Sequence, residues 1–106
     1  MSWLYLISAG VFEVGFTTCL KYSDNFSRLM PTLGFLFFSI ISFALLSMAM
    51  RTISLGTAYA VWTGIGAFGT ALVGIFFFND PATFWRLFFL FLLVGSIIGI
   101  KLVSAP

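Results

Sequence analysis

Three short polar clusters interrupt this chain: "KYSDNFSR" (Lys21–Arg28), "RTISLGT" (Arg51–Thr57) and "NDPATFWR" (Asn79–Arg86). Between and around them run four apolar stretches, Trp3–Leu20, Leu29–Met50, Ala58–Phe78 and Phe84–Val103. A helix needs about 20 residues to cross a hydrocarbon core about 30 Å thick, and each stretch has that length. None alternates with the period of two that a barrel strand requires. Backbone groups in lipid must be satisfied within their own segment, so the four stretches are predicted to be helices. Pro31 suits the first turn of the second helix, where its missing N–H is not needed. Asp80 and Pro81 have the character of an N-cap and first-turn pair for the fourth. Trp3 and Trp85 lie near helix ends, where aromatic rings favour the membrane interface. The predicted fold is all-α integral membrane, four transmembrane helices in one domain spanning residues 1–106.

Composition strengthens this reading. The chain is 61% hydrophobic and has five basic and three acidic residues, too few charges to cover a soluble domain of its size. The first run lacks a basic leader and carries an acid, so a cleavable signal is not expected and the cytoplasmic (inner) membrane is the expected location. With no histidine, one cysteine (Cys19) and three acids, neither a transition-metal site nor a nucleophile–base pair can be assembled. An enzyme is not expected, and neither is a cofactor other than protons as a coupling ion. Nucleic acid is not an expected partner.

Four spans put both termini and the 51–57 connection on one side of the membrane. Arg51 and Lys101 lie there, against Lys21, Arg28 and Arg86 on the other. Two against three is almost no positive-inside bias. The count leaves open a single orientation and insertion in both orientations with antiparallel pairing. Four short helices hardly enclose a solute, so an oligomer is expected. Gly95 and Gly99, in "GSIIG", have the small-xxx-small spacing of a close helix contact and are the expected dimer contact.

The candidate chemistry centres on Glu13. At about 100° per residue, Gly10, Glu13 and Thr17 share one face, with Ala9 and Phe16 at its margins. An ionised acid in mid-bilayer costs on the order of 3 kcal/mol even on the mildest scales. Every basic residue is at a helix end, so the offsetting positive charge must be a proton or a cation from solution. Two such carboxylates in a dimer would share one cavity and titrate together. A site that holds a proton or a cation, but not both, is the chemical requirement for exchange. The structural alternative is a neutral Glu13 acting as interhelical glue. On the third helix, Tyr59, Trp62, Thr63, Gly66, Gly69 and Thr70 form one stripe. Rings and hydroxyls there suit a weakly hydrated organic cation, or else they are belt and core residues. Ser39 and Ser42 face two options: donating to the carboxylate, or bonding back to their own helix.

"GIGAFG" (Gly64–Gly69) matches the dinucleotide fingerprint, but that motif has meaning only between a strand and a helix. In a membrane span its three glycines, Gly64, Gly66 and Gly69, allow close packing or a hinge.

These residues resemble the small multidrug resistance transporters over nearly the whole chain. The likeness rests on "EVGFTTCLKYSDNFSRLMP", "LGTAYAVWTGIGAFG" and "GSIIGIKL". It implies an antiparallel, dual-topology homodimer exchanging protons for cations at paired Glu13 residues. "WTGIGAFG", Ser42 and an aromatic at position 16 resemble the guanidinium-exporter branch. By that resemblance Tyr59 gates and lines the site, Trp62 shapes it and Ser42 hydrogen-bonds Glu13. Phe16 stands where that branch typically has tryptophan, which removes an indole donor, and Thr17–Thr18 looks more like the drug-exporting branch. The expected function is proton-coupled export of small organic cations, guanidinium-like first. The alternatives are export of quaternary-ammonium and lipophilic cations, and a non-transporting accessory membrane subunit.

Overall fold

The computed structural model describes residues 1–104 and contains four helices: α1 (Ser2–Tyr22), α2 (Leu29–Ala49), α3 (Leu55–Phe77) and α4 (Phe84–Val103). All four are long and apolar enough to cross a membrane, and the described residues contain no strand. The chain is a multi-pass membrane protein.

Helix ends follow local capping more than hydropathy. α3 starts three residues before the apolar run expected from Ala58, because extended Ser54 occupies the N-cap position and Leu55, Gly56 and Thr57 complete the first turn. The expected Asp80–Pro81 start of α4 is not used. Thr83 is the N-cap instead, its side chain accepting from the Arg86 N–H at 3.3 Å. Asp80 is drawn away by the end of α3: Asn79 takes a left-handed φ of 58°, which its short amide side chain tolerates. That turn sends the Asp80 N–H back to the Gly74 carbonyl at 3.0 Å. Between α1 and α2 the chain reverses through Asp24, Asn25 and Phe26, all left-handed, around a fully buried Ser23. The Ser23 hydroxyl donates to the Leu20 carbonyl and accepts from the Phe26 N–H.

The helices stand in a row rather than a bundle. α1 packs on α2 and on α3, α2 barely touches α3, and α4 packs on α3, meeting α1 where Lys101 stands over Trp3. The result is a slab of 43 × 35 × 17 Å, little more than one helix thick, with an accessible surface of 6791 Å². A compact soluble chain of this mass exposes about 5,900 Å². The excess follows from the row. Leu6, Ala9, Leu46, Ala49, Ala58, Val61 and Trp62 are buried where α1, α2 and α3 meet, while α4 buries no residue.

Candidate functional site

Glycines on one helix and bulky side chains on the next fix how α1 meets α3. A Cβ at Gly10 would lie 2.6 Å from Ile65 Cγ2, and one at Gly69 would overlap Val14. Between these two contacts the Glu13 carboxyl lies directly over Gly66, in space that any larger residue would take. One turn further along, Thr17 Oγ1 and Thr70 Oγ1 are 2.7 Å apart. Thr17 spends its single hydroxyl proton on the Val14 carbonyl at 3.0 Å, so Thr70 donates across the seam. Glu13 is thus held against the backbone of α3, over Gly66 rather than over Gly10, whose notch Ile65 fills. The expected hinge glycines serve the close-packing alternative in this structure: Gly64 receives Ile97 of α4, Gly66 receives Glu13 and Gly69 receives Val14.

The electrostatic outcome is plain. Glu13 Oε1 is buried and has no hydrogen-bond partner among the described residues. The one ion pair among them, Arg86–Asp80 at 3.7 Å, lies at a helix end. The carboxylate therefore has neither a donor nor a counter-charge among the described residues.

Ser42 departs from its expected partner. Fully buried, it donates to the Ala9 carbonyl at 2.7 Å and accepts from Trp62 Nε1 at 3.0 Å, which leaves no proton for the Glu13 carboxylate. Its geometry ties α2 to α1 and fixes the indole plane of α3. Ser39 takes the other option foreseen for it and bonds back to the Phe35 carbonyl. Ser42→Ala is expected to strand the indole N–H and lower stability by about 1–3 kcal/mol, the usual cost of an orphaned buried polar group. Thermal unfolding in detergent, followed by tryptophan emission, measures it.

An aromatic chain runs along the same region. Phe16 meets Phe35 edge-on at 5.7 Å and Phe43 at 6.1 Å; Phe43 lies 5.6 Å from Trp62, and Trp62 lies 5.8 Å from Tyr59. Phe43 was missed by reading the sequence, although it follows Ser42 directly. In a helix with four phenylalanines and five leucines nothing in its spacing sets it apart. The α3 stripe divides: Gly66, Gly69 and Thr70 face α1, Trp62 is buried, and Tyr59 and Thr63 are exposed. Tyr59 is 57% exposed, so it looks outward from the slab. Gly95 is exposed and Gly99 half-buried, and a Cβ at either would meet nothing within 4 Å, which leaves that face of α4 open.

Residues 1–93 match the family model described as Small Multidrug Resistance protein. A protein of Salmonella typhimurium named guanidinium exporter is 50% identical over 102 residues, covering 96% of this chain and 97% of its own. One of the same name from Citrobacter freundii shows the same identity and coverage. A third, from Proteus vulgaris, is 46% identical over 104 residues, covering 98% of this chain and all of its own.

Proposed function

The chain belongs to the Small Multidrug Resistance protein family, a family of transporters and not of enzymes, and from that premise we propose that it exchanges protons for small organic cations, guanidinium-like ones first. The observation that carries the reading is the buried, unpartnered Oε1 of Glu13. A planar guanidinium supplies two parallel N–H donors and one positive charge, which is what a lone carboxylate lacks. A proton neutralises the same group. Since either ligand removes the need for the other, cation binding and proton release are one event, and exchange follows. Relatives near 50% identity over nearly the full chain are named guanidinium exporters, which supports the same cargo here.

A slab 17 Å thick cannot surround a solute. We assign the second wall to another copy of the chain, antiparallel to the first, so that two Glu13 residues face one cavity. The open Gly95–Gly99 face of α4 supports that contact. Phe16, Thr17, Tyr59, Trp62 and Thr63 then line the site, Ser42 holds Trp62 in place, and Gly10 lets α1 and α3 approach. The membrane is taken to be the inner one.

Quaternary ammonium cargo is the second reading. It is favoured by Phe16, whose ring packs on Phe35 and Phe43 and carries no N–H donor. Currents on a solid-supported membrane loaded with reconstituted vesicles separate the two. Guanidinium is expected to evoke transport that acidification inhibits competitively, with tetrapropylammonium far weaker. Equal or reversed responses would transfer the assignment to quaternary ammonium, and no current to either would reject transport of organic cations.

A further inference from the structure

A cavity of about 170 Å³ opens at the Lys21 end of the α1–α3 seam, one helical turn beyond Glu13. It is lined by Thr17, Thr18, Thr70, Phe78 and Asp80, with Lys21 at its rim. The hydroxyls on its wall have no proton to offer. Thr17 and Thr18 both donate to the Val14 carbonyl, at 3.0 and 2.8 Å, and Thr70 donates to Thr17. What remains towards the cavity is lone pairs, together with the Asp80 carboxylate and the face of Phe78. Asp80 is held there because its carboxyl lies on Gly74, where a Cβ would collide with it, and because Arg86 meets it at 3.7 Å. Apart from the Lys21 ammonium, this wall of acceptors with a π face recognises cations that carry N–H groups.

The molecule already places such a group there. Lys21 Nζ stands 5.8 Å from the centre of the Phe78 ring, in cation–π range. The larger cavity at the opposite end, about 390 Å³, is lined by Arg51, Thr52 and Ser54 and has no carboxylate among its described lining residues. We propose that the Lys21-end cavity is an entry site for N–H-bearing organic cations, and that the Lys21 ammonium occupies the place on Phe78 which the arriving cation takes. Its part in transport rests on the exchange reading above; its binding chemistry does not involve Glu13. Val14, seated on Gly69, separates the two sites along the seam. In an antiparallel pair each membrane face receives one such cavity.

The test uses full-length Glu13→Gln protein in bicelles, titrated with guanidinium chloride while the methyl resonances of Thr17, Thr18 and Thr70 are followed by NMR. Saturable shifts are expected with the central carboxylate absent. Adding Lys21→Gln removes the competitor and tightens binding by about five-fold, while Phe78→Leu weakens it by a similar factor. Tetramethylammonium, which has no N–H, binds more weakly than guanidinium. Lys21 is exposed, so its replacement leaves the packing intact. Still methyls, a Lys21→Gln variant that binds no better, or tetramethylammonium binding equal to guanidinium overturns the proposal. Shifts here without any wild-type guanidinium current would reject the exchange reading and leave this site standing; current with still methyls would do the opposite.

Discussion

Glu13→Gln is expected to abolish proton-coupled transport in reconstituted vesicles while leaving the folded protein and its self-association unchanged. Glutamine keeps the length and volume of the side chain, so it still fits over Gly66. What disappears is the charge, and with it the competition between proton and cation. Truncating one partner of a buried, hydrogen-bonded charge pair costs about 2–5 kcal/mol. Guanidinium affinity should therefore fall by at least about 30-fold. An accessory subunit that uses Glu13 as glue predicts another outcome: assembly weakens, and no transport existed to lose. Size-exclusion profiles together with vesicle currents distinguish the two.

The second large effect is expected at Gly66. A methyl group there would occupy the position of the Glu13 carboxyl, so Gly66→Ala must turn the acid away from α3 or push the helices apart. Overpacking of this kind costs about 1–3 kcal/mol in stability. The functional loss should exceed what the stability loss accounts for, because the displaced group is the one that binds cargo. Gly56→Ala is the control: that Cβ would meet nothing within 4 Å, and both stability and current should be retained. Melting temperatures and initial currents, measured on both variants, check the pair. If Gly66→Ala transported like wild type, the carboxylate would not depend on its seat over α3.

The four spans were legible because lipid imposes a length and a backbone rule that leave few alternatives. Glu13 was legible for the same reason: a mid-bilayer acid stands out when every basic residue lies at a helix end. Helix ends were less so. Asp80 and Thr83 are both good caps, and the left-handed Asn79 decides between them by engaging Asp80 with Gly74. Periodicity put Gly66, Gly69 and Thr70 on the face they occupy, yet it could not say that Glu13 and Val14 would fill two of those positions, since that depends on the axial offset of α1 and α3. Ser42 shows the same limit. A buried hydroxyl was expected to find a partner, but only the packing of three helices reveals that the Ala9 carbonyl and the Trp62 indole reach it before Glu13 does. The Lys21–Phe78–Asp80 cavity joins residues 59 positions apart in sequence, so no local pattern announced it.

Proton release on cation binding tests the central claim most directly. Guanidinium is added to purified protein in weakly buffered detergent solution containing a pH indicator, at the acidic end of the range in which it transports. The account predicts that binding drives protons into solution and that Glu13→Gln releases none. Guanidinium that binds the wild-type protein without displacing protons would contradict it, because the carboxylate would then not be passing between two mutually exclusive neutralising ligands.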